Sequence, residues 1–148
     1  MKRSLIPLAA LAALALVPAA PAFAGSKGPA TVKVSNSDLG KILVSGGGRT
    51  LYMFTRDRRN KDKCFAISEC APTWPPFTTN GKPHARAGAK SSLLGTITLP
   101  NGSHQVTYAG HPLYMYSGDT QSHETDYVGA QQFGGSWFAM SSTGGSVK

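Results

Sequence analysis

The sequence lacks most of the motifs by which an enzyme is identified. It contains no G-x-S-x-G nucleophile motif, no phosphate-binding loop, no dinucleotide fingerprint and no C-x-x-C-H haem attachment site. Its seven acidic residues form no D-x-D-x-D-G calcium loop. These absences favour a non-enzymatic role, although they do not decide whether the protein is an enzyme. We predict no catalytic residue.

Cysteine is also scarce, because Cys64 and Cys70 are the only two in the chain. Their spacing fits neither a C-x-x-C redox motif nor a complete zinc site. In an exported protein, two cysteines are typical of one structural disulfide. Such a bridge would close a short loop and stabilise the fold by about 2 kcal/mol. A redox-active pair is the alternative interpretation.

Long apolar runs are absent except at the N-terminus. There, Lys2 and Arg3 precede an apolar run over residues 5–17, and Ala22-Phe23-Ala24 matches an A-x-A cleavage site. We therefore predict a cleaved signal peptide over residues 1–24 and a secreted protein. An uncleaved anchor is the alternative, but the run is short for a membrane span and no second run follows. No cysteine stands at the cleavage point to accept a lipid.

Acidic residues are fewer than basic residues. Without Lys2 and Arg3, the chain carries 13 basic and seven acidic residues. Many of the cations lie in one short segment, at Arg56, Arg58, Arg59, Lys61 and Lys63. This segment could contact an anionic envelope component or an extracellular protein. A solvated loop is the alternative, and nucleic acid is not an expected partner because no aromatic residues alternate with the charges.

Helical periodicity is missing from the mature chain, which predicts a small single all-β domain of about seven short strands. The predicted strands are Thr31–Val34, Ile42–Val44, Leu51–Phe54, Thr96–Leu99, His104–Tyr108, Leu113–Tyr116 and Gly134–Met140. Asn101-Gly102 is a strong hairpin signal. The prolines after Trp74 exclude a helix and a central strand there. Residues 78–89 are predicted to be loop, and residues 91–94 one helical turn.

A ten-residue phrase occurs twice, and it sets the architecture. The segments 48–57 and 110–119 both read G-x-x-L-Y-M-(F/Y)-x-x-D, and Gly46-Gly47-Gly48 allows a tight turn before the first. We therefore predict two pseudo-equivalent repeats, each containing a hairpin, over residues 31–90 and 91–148. Residues 25–30 form a flexible lead. The repeated motif residues are Tyr52, Phe54 and Asp57 in repeat one and Tyr114, Tyr116 and Asp119 in repeat two.

Alternation along a strand places the leucine and methionine of each phrase on one face and its two aromatic residues on the other. Both faces are apolar, so both are predicted to be covered. A buried tyrosine hydroxyl then needs a hydrogen-bond partner, which the motif aspartate could supply. Alternatively, the aspartate caps the turn that follows. Either interpretation explains the recurrence of Tyr and Asp without a ligand.

Together these motifs resemble the bacterial secreted-repeat family, also described as predicted lipoproteins with a Y-x-(F/W/Y)-x-x-D motif. The resemblance extends to Cys64, to the Cys-Ala-x-x-Trp-Pro-Pro stretch at 70–76 and to the Gln-Val-Thr-Tyr-x-Gly-x-Pro-Leu-Tyr run at 105–114. It covers most of the mature chain. It implies export and a repeat architecture, and it brings no established activity. The chain departs from the lipoprotein members because it lacks the lipid-acceptor cysteine.

Two sets of residues are candidates for binding. Trp74, Tyr108 and Trp137 would suit a glycan or protein surface if exposed, whereas burial would make them the core of a small β-domain. His104 and His111 lie at the ends of neighbouring predicted strands. With the methionines they form a candidate copper site, although no clustered histidine motif is present. No cofactor is predicted apart from this alternative.

The carboxylates offer weaker candidates. If the repeats face each other, Asp57 and Asp119 could converge as an acid/base pair. The cations around Asp57 are expected to keep it ionised, which argues against that chemistry. A calcium site at Asp119, Glu124 and Asp126 lacks its motif. We therefore predict a secreted, non-enzymatic binding module of the cell envelope. A metal- or redox-linked accessory protein of the copper type is the alternative.

Overall fold

The computed structural model describes residues 28–148. The predicted signal peptide and the first residues of the predicted lead lie outside this range. The described chain is almost entirely β-structure, as predicted, with ten strands in place of about seven. The strands are β1 Thr31–Ser37, β2 Gly40–Ser45, β3 Tyr52–Phe54, β4 His84–Arg86, β5 Leu94–Thr98, β6 His104–Tyr108, β7 His111–Pro112, β8 Gln131–Gln132, β9 Gly135–Met140 and β10 Ser146–Val147. One helical turn, α1, spans Cys70–Thr73, and a 3₁₀ turn spans Ser91–Leu93.

The strands form three small sheets. β1 pairs with β2 as an antiparallel hairpin and with β4 in parallel, which gives the order β2-β1-β4. β5, β6 and β7 form an antiparallel sheet in chain order, and the β5–β6 hairpin turns at the Asn-Gly signal, as predicted. The last sheet has the order β10-β9-β3, and β8 also pairs with β9. This last sheet combines strands from both repeats.

The repeats exchange the segments that contain or directly follow their tryptophans, residues 135–140 and 75–77. β3 of repeat one pairs with β9 of repeat two, so that Tyr52 lies opposite Ala139. In the equivalent place, Tyr114 of repeat two lies opposite Pro76 of repeat one. Tyr52 and Tyr114 also join each other, because the backbone N–H of each donates to the carbonyl of the other at 2.9 Å. The two copies are therefore interlocked through these pairings, although each copy also forms a three-stranded sheet of its own.

The segment after Trp74 shows how two prolines can take part in this pairing. The N–H of Phe77 donates to the Leu113 carbonyl at 2.8 Å, and the carbonyl of Pro75 accepts from the Met115 N–H at 3.0 Å. Neither bond needs a proline N–H. As predicted, no regular strand forms there, but the segment pairs with repeat two as a strand would. The single turn α1 just before it was not predicted.

Two further differences concern short elements. Residues 84–86 form β4, where a loop was predicted, because the N–H of His84 donates to the Ala30 carbonyl and aligns the segment beside β1. The predicted strand at Leu113–Tyr116 is reduced to the isolated pairings of Tyr114. The predicted disulfide is present between Cys64 and Cys70.

Each face of the repeated phrase packs into its own buried cluster, as the alternation predicts. Leu51 and Leu113 belong to a mainly aliphatic cluster, which also contains Phe77 and Tyr108 and against which Met53 and Met115 pack. The opposite face contributes to an aromatic cluster that also contains the disulfide. Its buried members are Tyr52, Phe54, Cys64, Cys70, Trp74, Tyr114 and Trp137.

Candidate functional site

The repeated tyrosines and aspartates pair across the two repeats. The hydroxyl of Tyr52 donates to Asp119 Oδ2 at 3.0 Å, and the hydroxyl of Tyr114 donates to Asp57 Oδ2 at 2.9 Å. Both tyrosines are fully buried. Each motif therefore supplies the partner for the other copy's buried hydroxyl. These reciprocal bonds tie each copy of the motif to the other.

Burial raises the pKa of both carboxyl groups. For Asp57, desolvation outweighs the Lys63 backbone N–H, the Tyr114 hydroxyl and the Lys63 charge, and the pKa is about 7. Burial therefore affects this pKa more strongly than the neighbouring cations do. For Asp119, desolvation and the charge of Glu124 outweigh the Tyr52 hydroxyl, and the pKa is about 6.

The two carboxylates occupy separate environments. Asp57 Oδ1 accepts from the Lys63 N–H at 2.8 Å, whereas Asp119 Oδ1 is buried and has no hydrogen-bond partner among the described residues. Desolvation, followed by the charge of the paired aspartate, also raises the pKa of the Tyr52 and Tyr114 hydroxyls. Both tyrosines therefore remain neutral donors. These contacts explain the recurrence of Tyr and Asp in the motif by a structural role, which is to hold the two repeats together.

The candidate aromatic residues Trp74, Tyr108 and Trp137 are all fully buried. Trp74 and Trp137 stack face to face, with ring centroids 4.1 Å apart and planes 3° apart. The Tyr108 hydroxyl accepts from the Lys90 N–H and donates to the Ser142 carbonyl, both at 2.8 Å. In the described conformation, none of the three rings presents a face to a ligand. Their positions are those of core residues, which is the alternative that the sequence left open.

The register separates the two candidate histidine ligands. His111 lies opposite Tyr108, four residues along β6 from His104, which places the backbone positions roughly 13 Å apart. His104 is exposed, and its Nδ1 lies 3.3 Å from the Thr98 hydroxyl. Within residues 28–148, no three His, Cys, Asp or Glu side chains are grouped so that they could hold a metal ion.

Part of the basic segment is held against repeat two. Arg56 Nη1 donates to the Phe133 carbonyl at 2.7 Å, and Arg59 Nη1 donates to the Ala109 carbonyl at 3.3 Å. The Asn60 N–H donates to the Gly110 carbonyl at 2.7 Å. These side chains therefore connect the repeats, which a freely solvated loop would not do.

Sequence reasoning did not identify an open groove where the start of β1 meets the proline segment. Its volume is about 750 Å³, within the range of about 300–1,000 Å³ typical of small-molecule sites. Its apolar lining residues include Pro72, Pro75, Pro76, Phe77 and Met115. We call this feature the proline groove. The two prolines after Trp74 indicate a stiff segment in the sequence. Only the tertiary structure shows that the start of β1 lies beside this segment and forms a groove with it.

The lining of the proline groove also includes polar residues. Thr31, Arg49 and Ser117 are among them, and the turn Gly46-Gly47 after β2 contributes its backbone. The turn is closed by the Gly48 N–H, which donates to the Ser45 carbonyl at 2.9 Å. The Arg49 guanidinium donates to the Tyr116 carbonyl, which anchors this cation at the junction of the repeats. The groove therefore combines an apolar surface with a few fixed polar groups.

A family of secreted repeats of unknown function matches the chain twice, over residues 33–78 and 95–141. No curated protein and no solved structure matches it significantly. No helix in the described part of the chain is long and apolar enough to cross a membrane. The two matched segments cover well over half of the chain and coincide with the two interlocked copies. The protein belongs to this family of secreted repeats.

Proposed function

We propose that the protein is a secreted, non-enzymatic binding module whose proline groove takes an amphipathic small molecule. The observation that carries the proposal is the groove itself, which is open to solvent and is lined by both apolar and polar residues. Small-molecule sites typically combine a mostly apolar lining with a few polar groups that fix orientation. The buried tryptophans do not contribute to this surface.

The chemistry of the lining indicates the class of ligand. Phe77, Met115 and the prolines offer a rigid apolar surface for a hydrocarbon or aromatic body. Thr31, Ser117 and Arg49 also line the groove, and their hydroxyls and guanidinium suit a polar or anionic head group. A ligand with an apolar body and an anionic end would match both kinds of lining residue.

A fluorescent probe of this class tests the proposal directly. We expect 8-anilinonaphthalene-1-sulfonate to bind one site per chain and the neutral N-phenyl-1-naphthylamine to bind the same site more weakly. Gly47→Trp should reduce the affinity for the anionic probe by about tenfold, because the new ring would fill the groove. Gly47 is exposed and lacks a left-handed φ, and a Cβ at this position would meet only Ser45 Oγ at 3.9 Å, so the fold accepts a side chain there.

Leu39→Trp is the matched control. It adds the same ring at the exposed turn of the β1–β2 hairpin, about 17 Å along the strands from the groove end. We expect this variant to bind both probes as the unmodified protein does. Probe fluorescence that does not saturate, or that falls equally in both variants, would contradict binding in the proline groove.

A further inference from the structure

The outer edge of β5 is an unpaired sheet edge. β5 ends the sheet order β5-β6-β7, and within residues 28–148 no other segment pairs with it on its far side. Its sequence, Leu-Gly-Thr-Ile-Thr, contains neither a charge nor a proline. Proteins usually protect an exposed edge with such residues or with a covering element. An unprotected edge of this kind is a template for strand addition.

The hydrogen bonds of β6 show which groups point outward. Val106 uses its N–H toward the Phe77 carbonyl at 2.8 Å and its carbonyl toward the Leu113 N–H at 2.9 Å, so both point away from β5. Thr96 is the register partner of Val106. In an antiparallel ladder, the N–H and carbonyl of Thr96 must then point away from β6, toward the open edge. Thr96 is also exposed.

A cavity of about 580 Å³ lies beside β5. Its lining includes Leu94 and Thr96 from β5, Lys82 from the loop before β4, and His104 from β6. The cavity is separate from the proline groove, because the two share no lining residue. It provides space for the side chains of a segment laid along β5.

The charged side chains of this region are all basic. From Cys70 to Gly118 the chain contains no aspartate or glutamate, whereas Lys82, Arg86 and Lys90 lie within that stretch. All three cations are exposed. A partner segment that carries acidic side chains would complement this surface, and a basic one would be repelled.

We propose that the β5 edge binds an acidic, extended polypeptide segment of another protein by adding it as a fourth strand beside β5. The outward backbone groups of Thr96 require a partner with both a donor and an acceptor at strand spacing, which a polypeptide backbone supplies and an anionic polysaccharide does not. Lys82 then lies beside the acidic side chains of the added strand. This site is additional to the proline groove.

The test uses a fluorescein-labelled, acetylated and amidated nonapeptide, Glu-Thr-Glu-Val-Glu-Val-Glu-Thr-Glu, followed by fluorescence polarisation. Thr96→Pro should weaken its binding by about tenfold or more, because proline removes the outward donor, and an edge strand tolerates that change. Thr96→Val is the matched control, since it keeps the N–H and the β-branched shape, and should bind as before. Lys82→Glu should weaken binding by about fivefold, whereas Lys41→Glu, at an exposed position of β2, should leave it unchanged.

Amide hydrogen exchange makes the test independent of how well the proline variant folds. In the unmodified protein, the peptide should slow exchange at Thr96 and leave the amides that line the proline groove unaffected. Equal binding of the peptide and of its backbone N-methylated form would show attraction to charge alone and would overturn the proposal. So would a chain that dimerises through β5, or a peptide that does not bind below about 1 mM.

Discussion

Replacing Trp137 by alanine should remove a large part of the free energy of unfolding, about 3–5 kcal/mol. The ring is fully buried and stacks on Trp74 on one side and on Phe54 on the other, with ring centroids 4.1 Å apart in both pairs. Truncation of a buried tryptophan costs about 3–5 kcal/mol, and a domain of this size is stable by about 5–15 kcal/mol. Urea unfolding followed by far-ultraviolet circular dichroism measures the loss.

The pseudo-equivalent tryptophans provide a sharper comparison. Trp74 Nε1 donates to Gln132 Oε1 at 2.7 Å, whereas Trp137 Nε1 is buried with no partner among the described residues. Both changes to phenylalanine remove the same volume, but only Trp74→Phe breaks a hydrogen bond. Trp74→Phe should therefore cost about 1 kcal/mol more than Trp137→Phe in free energy of unfolding. Equal losses, or the reverse order, would show that the polar contact contributes nothing.

The stack also explains why the effect should be global. Trp74 belongs to repeat one and Trp137 to repeat two, and each adjoins a segment that pairs with the other copy's repeated phrase. Loss of either ring disturbs both exchanged segments at once. We therefore expect one cooperative unfolding transition with no separate transition for each repeat.

The sequence was informative where the signal is local. The repeated phrase, the Asn101-Gly102 turn and the two cysteines each predicted a feature that the structure contains. Turn chemistry and strand alternation depend on neighbouring residues, and two cysteines in an exported chain are expected to pair. The two apolar faces of the phrase were equally clear from its alternation. Even the structural need of each buried tyrosine for a partner followed from its burial.

The remaining features depend on which copy pairs with which. Two equivalent phrases do not reveal that Tyr52 contacts Asp119 and that Tyr114 contacts Asp57, because pairing within each copy would leave the same pattern. β4, with only one apolar residue among His84, Ala85 and Arg86, forms because β1 offers it a free edge. The proline groove needs β1 and the proline segment to meet across the fold.

Asp57 and Asp119 should together make the protein more stable as the pH falls from about 7 to about 4, while burial of His111, which lowers its pKa, opposes this trend. Asp57 and Asp119 have folded-state pKa values of about 7 and about 6, both above the ordinary value of 3.8. Between these values the folded state binds more protons than the unfolded state, so stability is fully present below about pH 4 and is lost as the pH rises through 6 and 7. With screening at the partly exposed Asp57, the combined change is on the order of 3 kcal/mol.

The groups around each carboxyl set the size of this effect. Asp57 lies near the Tyr114 hydroxyl, the backbone N–H and charge of Lys63, and the like charge of Asp62. Asp119 faces the Tyr52 hydroxyl and the charges of Glu124, Arg49 and Asp126. In both cases desolvation is the largest contribution, so the direction follows from burial and not from any single neighbour.

Asp119→Asn isolates one of the two contributions. The amide oxygen can still accept from the Tyr52 hydroxyl, while the side chain no longer has to bury a charge at neutral pH. This variant should unfold at a higher temperature than the unmodified protein at about pH 7.5, and the two should converge at about pH 4. Asp126→Asn, which removes the same charge from an exposed position of the same loop, should change the profile little. If the unfolding temperature of Asp119→Asn ran parallel to that of the unmodified protein over this pH range, the Asp119 carboxyl would be ionised in the folded state across the range. The Tyr52 hydroxyl and Arg49 would then fully offset the cost of burying its charge.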